Sequence, residues 1–301
     1  MKTNIDLHIH SHHSDGSFST QQLINMLADR GIRIFSFTDH DTMNCYEDLS
    51  SDLAQLNSGM ICIPGVELSC LYNEEIKDIL GYGVDYKYIQ SFFNKRYSKQ
   101  HRIDKQNCFI AQMKDSARKH GIIFDESVEA VLGQRSEGFY LMTDEFRKHP
   151  VNVERFPFIA DSLDFYWNHI NNPQSPFFVA EKEDTLTFEE AINLIHAAGG
   201  VSMIAHPYHY NMSYNDRIRM MMELVELGVD GVEIKHSSHF EKHITELRNF
   251  AHEHHLLMSG GSDFHGAMKP QINLGVGPGH VCVEIADIID LMNTLGITIG
   301  T

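Results

Sequence analysis

The amino-acid sequence predicts an α/β fold built around a parallel sheet. Short apolar runs alternate with helical stretches in both halves of the chain, and repeating strand–helix units favour parallel strands in an open sheet or a barrel. Side chains that can bind metal ions stand at the ends of the predicted strands, where α/β barrels build their sites. The 301 residues can bury a core without disulfide bonds.

The first half of the chain contains four predicted strands. Its elements are, in order, a strand over 5–9, a helix over 20–30, a strand over 34–38, a helix over 42–56, and strands over 60–66 and 76–82. Ser19 or Thr20 can cap the first helix and Gly31 can end it, because these residue types favour helix starts and stops.

The second half repeats the alternation after a long interruption. Helices over 188–198, 218–227, 241–254 and 286–295 alternate with strands over 201–205, 231–234 and 256–259. Between 92 and 184 the pattern fades into polar helix and loop, which we interpret as a mainly helical inserted subdomain. The predicted domains are therefore a strand–helix domain formed by 1–91 and 185–301, and the insertion 92–184.

The charge balance restricts the class of partner. With 41 acidic against 24 basic residues the net charge is −17, which argues against long nucleic acid and against anionic membranes. The insertion is the exception, since 92–120 contains eight basic residues and two acidic ones. This segment is either a solvated helix face or an electrostatic guide for an anionic substrate.

The cysteines and the N-terminus indicate the compartment. Five cysteines without a CxxC pair fit a reducing environment. No apolar run suggests a signal peptide or a membrane span, so we expect a soluble cytoplasmic protein.

Six motifs carry the candidate chemistry, and each is predicted to lie at the C-terminal end of a strand. They are His8-Ile9-His10 with Ser14-Asp15-Gly16, Thr38-Asp39-His40-Asp41, Gly65-Val66-Glu67, Asp78, Ala205-His206-Pro207, and Gly261-Ser262-Asp263-Phe264-His265-Gly266. His8 and His10 share a face because residues two apart on a strand point the same way. Buried carboxylates at one mouth would repel each other, so the pattern predicts divalent cations between them.

Other histidines have plainer interpretations. His12 and His13 are predicted loop residues that could line the mouth. His239 and His243 have i,i+4 spacing, but no HExxH glutamate lies between them. His239 is either an ordinary residue at a helix start or a phosphate contact.

These motifs resemble, in order, those of the polymerase and histidinol phosphatase (PHP) family of metal-dependent phosphoesterases. The resemblance covers about 1–90 and 185–280. It implies a distorted (β/α)7 barrel over 1–91 and 185–301 with two or three divalent ions. It also implies three ligand sets: His8, His10, Glu67 and Asp263; Glu67, Asp78 and His206; and Asp15, His40 and His265. Asp78 stands where the family usually has histidine, and its harder oxygen donor favours iron or manganese over zinc.

The insertion is similar to a branch that includes nucleoside 3′,5′-bisphosphate phosphatases and exonuclease-like relatives acting on short RNA 5′ ends. That branch has an arginine near the position of Gly133-Gln134-Arg135-Ser136. Arg135 and His239 are accordingly our predicted phosphate contacts, because a guanidinium or an imidazolium suits an anion.

The expected function is hydrolysis of a small phosphorylated metabolite or nucleotide by a hydroxide shared between two metal ions. Glu67, Asp78, Asp263 and His265 are the predicted catalytic ligands. The expected partner is a small phosphorylated substrate, with neither long nucleic acid nor a membrane. The alternatives are an exonuclease or phosphodiesterase on short 5′-phosphorylated RNA, a histidinol phosphate phosphatase, and a metal-binding module without activity.

Overall fold

A computed structural model describes residues 4–50, 59–96, 98–131, 137–179, 185–278 and 281–298. The chain divides into two compact units. The larger unit comprises Met1–Tyr72, Ile76–Phe93 and Leu186–Thr301, and the smaller unit comprises Asn73–Glu75 and Asn94–Thr185.

The strands and helices alternate in the larger unit. Its first half contains β1 (Asn4–Ile9), α1 (Thr20–Arg30), β2 (Ile32–Phe37), α2 (Asn44–Ser50), β3 (Ile61–Cys62), β4 (Gly65–Tyr72), β5 (Glu75–Tyr82) and α3 (Tyr86–Arg96). After the smaller unit follow α8 (Phe188–Ala197), β6 (Val201–Ile204), α9 (Tyr214–Glu226), β7 (Gly231–Lys235), α10 (Glu241–Glu253), β8 (Leu257–Gly260) and α11 (Ile285–Thr294).

The smaller unit is helical around an aromatic core. It contains α4 (Lys99–His120), α5 (Gly138–Arg147), α6 (Pro150–Arg155) and α7 (Ser162–Asp164), with a 3-10 turn over Pro157–Ala160 and a π-helical turn over Phe165–Ile170. Phe139, Phe146, Phe165 and Phe177 are buried in this core.

Two sheets form the centre of the larger unit. One has the order β1-β2-β3 with parallel pairing. The other has the order β4-β5-β6-β7-β8, in which β6, β7 and β8 are parallel and β5 is antiparallel to β6. The α/β class is therefore confirmed, with a mixed second sheet instead of an all-parallel one.

The predicted distorted (β/α)7 barrel is not shown, because the strands of the described residues do not form one closed sheet. Isolated bridges connect the two sheets at Ile9–Phe264 and at His40–Glu67. Asp41 and Asp263 adopt positive φ angles of 50° and 59° next to these bridges. The backbone thus leaves the extended conformation there, and a continuous ladder cannot form.

Most predicted boundaries agree with the structure to within a few residues, and helix caps explain several of them. Ser19 caps α1 through a capping box with Gln22, and Gly31 ends the helix with φ of 72°. The helix predicted from 218 begins earlier, at Tyr214, because the Ser213 side chain accepts from the Asp216 N–H. Residues 51–56 of the helix predicted over 42–56 lie outside the described part of the chain.

The strand predicted over 60–66 is wrong, because two strands, β3 and β4, meet there. The buried Tyr46 hydroxyl donates to the Phe37 carbonyl at 2.7 Å and accepts from the Gly65 N–H at 2.8 Å. It thereby satisfies backbone groups at the end of β2 and at the start of β4. Gly65 must lack a side chain, since a Cβ there would lie 2.2 Å from the Ser36 Oγ atom.

The core of the larger unit packs between the first sheet, β5, β6 and α11. Leu7, Ile34, Leu80 and Met203 are fully or almost fully buried there, together with Leu291. No helix of the described residues has both the length and the apolar character that crossing a membrane requires.

We expect Tyr46→Phe to lower the free energy of unfolding by about 1–3 kcal/mol, since it leaves buried backbone groups without a partner. Urea denaturation measures the difference. Tyr88→Phe is the matched control, because Tyr88 is 48% exposed against 3% for Tyr46. Equal stability of the two variants would contradict the role given to the Tyr46 hydroxyl.

Candidate metal centre

Four side chains meet where β1 ends. The Nε2 atoms of His8 and His10 lie 3.1 Å apart, and each lies 3.1 Å from the Glu67 Oε2 atom. The Asp263 Oδ1 atom lies 3.6 Å from the first nitrogen and 3.3 Å from the second. All four residues are at most 3% exposed. Two nitrogen and two carboxylate ligands therefore face one small volume.

Close backbone approaches bring these residues together. The Asp263 N–H donates to the His8 carbonyl at 2.9 Å, and a Cβ on Gly261 would lie 2.3 Å from His8. Glu67 is placed by its bridge to His40. The left-handed backbone of Asp263 is uncommon for a residue other than glycine, and such conformations often occur at functional sites.

The donor chemistry of this group fits a divalent cation. The His8 Nδ1 atom lies 2.9 Å from the Glu233 carboxylate, so it carries a proton that this carboxylate accepts. The His8 Nε2 atom faces Glu67, and it would present a lone pair there once a cation displaces its proton. Lone pairs and carboxylate oxygens that face one another repel, and a bound cation removes that repulsion.

A second group contains His10, Asp15, His40 and His265. The Asp15 carboxylate lies 3.1 Å from the His265 Nε2 atom and 3.4 Å from the His10 Nδ1 atom. The rings of His10 and His265 stack with centroids 4.0 Å apart. The His10 and His40 Nδ1 atoms are buried without a hydrogen-bond partner in the structure, which suits atoms that bind a cation.

Glu67 also faces a third set of ligands. Its Oε1 atom lies 2.7 Å from the His206 Nε2 atom, while its Oε2 atom faces the first group. His40, Glu67 and Asp78 together could hold an ion. The Tyr210 hydroxyl donates to Asp78 at 3.0 Å and the Ser69 hydroxyl donates at 3.2 Å, so this carboxylate is held in place. The two oxygens of Glu67 therefore suit a bridging role.

The pKa values show strong coupling between these groups. Burial opposes ionisation, but the imidazoles of His8 and His40 hold the pKa of Glu67 well below its usual range. Burial likewise lowers the pKa of His10, but hydrogen bonds to Asp263 and Glu67 raise it to about 10. Burial and then the Glu67 charge raise the pKa of Asp78. Protons and cations thus compete for the same atoms.

Two of the six motifs do not lie at strand ends, which corrects that expectation. Gly65-Val66-Glu67 begins β4, and Asp78 lies within β5. Glu67 still reaches the centre because β4 enters it from its first residues, beside His40. Asp78 reaches it because β5 runs antiparallel to β6, and the Ala205 N–H donates to the Asp78 carbonyl.

The two predicted phosphate contacts have different outcomes. Arg135 lies outside the described residues. His239 is fully buried, and burial lowers its pKa to about 3. Its Nδ1 atom donates to the Ile234 carbonyl at 3.0 Å, and its Nε2 atom accepts from the Tyr208 N–H at 3.4 Å. Both ring nitrogens of His239 therefore have partners within the protein, and a phosphate contact through this ring would have to displace one of them. The phosphate contact of His239 stays a prediction.

Three buried acids lie around the predicted ligands; the sequence analysis missed Asp6 and Glu233, and it named Asp39 within a motif without giving it a role. Glu233 orients His8, and Asp39 accepts from the Ser11 N–H and from the hydroxyls of Ser11 and Ser14. Asp6 accepts from the N–H and hydroxyl of Ser262. Their signal was an acidic residue within or directly after an apolar strand, where burial requires a partner.

Two further groups contact the ligand Asp263 and also went unnoticed. His236, which is 1% exposed, lies 3.2 Å from the Asp263 Oδ2 atom, and the Lys269 ammonium contacts the same oxygen. His12 and His13 form a separate group with Asp48, in which the His13 Nε2 atom lies 2.7 Å from the carboxylate.

Comparisons with known proteins agree with the geometry. The sequence model of the PHP domain family matches residues 6–256. The chain is 26% identical over 271 residues to the 5′-3′ exoribonuclease Rnm of Escherichia coli (strain K12), covering 90% of this chain and 87% of the relative. It is 26% identical over 264 residues to the 3′,5′-nucleoside bisphosphate phosphatase of Chromobacterium violaceum, covering 87% of each chain.

A solved structure has the same fold. It is an amidohydrolase from Chromobacterium violaceum with 23% sequence identity and a TM-score of 0.67, and the match covers 97% of this chain and 96% of that one.

The comparisons also correct the expected partners. Three relatives are named 5′-3′ exoribonuclease, so the expectation that long nucleic acid is excluded is wrong. The physical reason is that net charge describes the chain as a whole, whereas recognition of a nucleic acid end depends on local charge.

We expect Glu233→Gln to weaken Mn²⁺ binding by roughly 10–100-fold, because an amide no longer fixes the tautomer of His8. A chelator-competition titration measures the affinity. Glu241→Gln changes an exposed residue of α10 and is the control. A folded Glu233→Gln protein with the affinity of the control would refute the orienting role.

Proposed function

The chain belongs to the PHP domain family and is a metal-dependent phosphoesterase, and on that premise we propose that it hydrolyses phosphoesters of ribonucleotides. The observation that carries the proposal is the group formed by His8, His10, Glu67 and Asp263, whose ligand atoms face one another in a buried site. The names of two relatives support a nucleotide substrate, since one is a 5′-3′ exoribonuclease and the other a 3′,5′-nucleoside bisphosphate phosphatase, and both act on phosphate esters of nucleosides.

We assign three sets of residues to divalent cations. The first set is His8, His10, Glu67 and Asp263; the second is Glu67, Asp78 and His206; the third is Asp15, His40 and His265. Asp78 contributes an oxygen donor where the family usually has histidine, which favours iron or manganese over zinc in the second set.

Divalent cations in such a centre supply Lewis acidity, which activates water and offsets charge on the phosphoryl group. The protein's own residues supply the geometry. Glu233 holds the His8 ring with its Nε2 atom towards the centre, and Asp39 holds Ser11 and Ser14 beside the first motif. Burial of Glu67 and Asp263 excludes water from one side of the site, which strengthens the electrostatic interactions within it.

The position of the cleaved bond separates the candidate substrates. A phosphatase acting on a nucleoside 3′,5′-bisphosphate releases a terminal phosphate, whereas a 5′-3′ exoribonuclease cleaves a phosphodiester and releases a mononucleotide. Histidinol phosphate tests an alternative without a ribose. A metal-binding module without activity predicts no phosphate release from any of these compounds.

We expect Glu67→Gln to lower turnover of ribonucleotide phosphoesters by about a hundredfold or more. The change removes the charge of a bridging carboxylate, and even the loss of an outer residue that orients a ligand typically costs 10–100-fold. Phosphate and nucleotide release are measured from a 5′-phosphorylated oligoribonucleotide and from a nucleoside 3′,5′-bisphosphate, with Mn²⁺ present.

The control for this experiment is Glu189→Gln, an exposed carboxylate of α8. It should keep the activity of the unmodified protein. Turnover by Glu67→Gln at the level of Glu189→Gln would exclude the proposed mechanism. If the unmodified, metal-loaded protein hydrolyses only histidinol phosphate, the ribonucleotide assignment is wrong and a histidinol phosphate phosphatase takes its place.

A further inference from the structure

Lys269 places a positive charge at the metal centre that the proposed function has not used. The residue follows a 3-10 turn over Gly266–Met268, and its ammonium contacts the Asp263 Oδ2 atom. The Lys269 side chain is 22% exposed, whereas that of Asp263 is 5% exposed. One side of the lysine therefore faces the ligands and another faces solvent.

Asp263 divides its two oxygens between two kinds of neighbour. Its Oδ1 atom faces the Nε2 atoms of His8 and His10, and its Oδ2 atom faces His236 and Lys269. The first oxygen is thus directed to the proposed cation, and the second is available to hydrogen-bond donors.

His236 lies beside the second oxygen but does not satisfy it. The Ser238 N–H donates to the His236 Nδ1 atom at 3.0 Å, so that nitrogen carries a lone pair. The His236 Nε2 atom lies 3.2 Å from the Asp263 Oδ2 atom and makes no hydrogen bond there. The Lys269 ammonium is the donor that contacts this oxygen, and it has three N–H groups, more than this one contact uses.

The positive charge of Lys269 would lack a counter-charge once cations are bound. Divalent ions would neutralise the ligand carboxylates, and the neighbouring ammonium would then add positive charge in a largely buried place. A bound anion would compensate that positive charge. A lysine has three N–H donors, so it can contact a phosphoryl oxygen while one N–H remains on Asp263.

We propose that Lys269 is a substrate-binding residue whose ammonium contacts the phosphoryl group of the bound substrate. This inference rests on the proposed function for the identity of the substrate. It adds a phosphate contact to the two that the sequence analysis predicted, Arg135 and His239.

The test compares Lys269→Met, Lys269→Gln and Lys269→Arg with the unmodified protein, and uses Lys242→Met, an exposed lysine of α10, as the control. Titration calorimetry with inorganic phosphate on Mn²⁺-loaded protein measures anion binding. Chelator competition measures Mn²⁺ affinity, and steady-state kinetics on a 5′-phosphorylated oligoribonucleotide separate KM from kcat.

We expect Lys269→Met and Lys269→Gln to weaken phosphate binding by on the order of tenfold to a hundredfold and to raise KM similarly, with Mn²⁺ affinity retained. Lys269→Arg should keep most of the binding, because it keeps the charge. Phosphate binding equal to that of Lys242→Met, or a loss of Mn²⁺ that accounts for the loss of phosphate, would overturn the inference.

These readouts separate two kinds of failure. If the unmodified protein binds phosphate but hydrolyses none of the phosphoesters, the proposed function fails while the calorimetry still decides the role of Lys269. If the unmodified, Mn²⁺-loaded protein does not bind phosphate, the lysine contact itself is refuted.

Discussion

The arrangement of the larger unit depends on positive charge among buried carboxylates and imidazoles that face one volume. Glu67 and Asp263 cannot both stay ionised in a dry site without positive charge between them, and protons on His8 and His10 supply it until a cation displaces them. Around them, Glu233 contacts the His8 ring, while Asp39 and Asp6 accept from the N–H groups of Ser11 and Ser262, which are next to proposed ligands in the sequence. The acids that do not face the centre fix the positions of its side chains, whereas the negative charges of Glu67 and Asp263 make cation binding favourable.

Burial periodicity made much of the fold predictable. The apolar runs of β1, β2, β6, β7 and β8 and the caps of α1 were found from residue patterns alone. The antiparallel direction of β5 could not be predicted, because its hairpin turns at Asn73-Glu74 with φ of 50° and 68°, and a glutamate there gives no turn signal. The contacts of the Tyr46 hydroxyl could not be predicted either, because they join it to backbone far along the chain. The assignment of 92–184 as a separate domain stays a prediction.

The candidate site was predictable where ligands lie close together in sequence. His8 with His10 follows from strand alternation, and Asp263 with His265 belongs to one short motif; the structure brings all four into two neighbouring groups that share His10. Glu233, His236 and Lys269 were missed because their importance comes from contacts with Asp263 and His8, and no local pattern shows such contacts. The net charge of −17 led to the wrong exclusion of long nucleic acid. A net charge sums the whole chain, so it does not describe the local charge around Asp263.

The seam between the two sheets coincides with the candidate centre. The bridges Ile9–Phe264 and His40–Glu67 are isolated, and each includes or adjoins a proposed ligand. β1 and the segment after β2 contribute imidazoles from one sheet, while β4 and the segment after β8 contribute carboxylates from the other. Ions held there would cross-link the two sheets beside the backbone hydrogen bonds that join them, such as Asp263 N–H to His8 and Asp41 N–H to Glu67. Metal occupancy would then raise the free energy of unfolding of both sheets together.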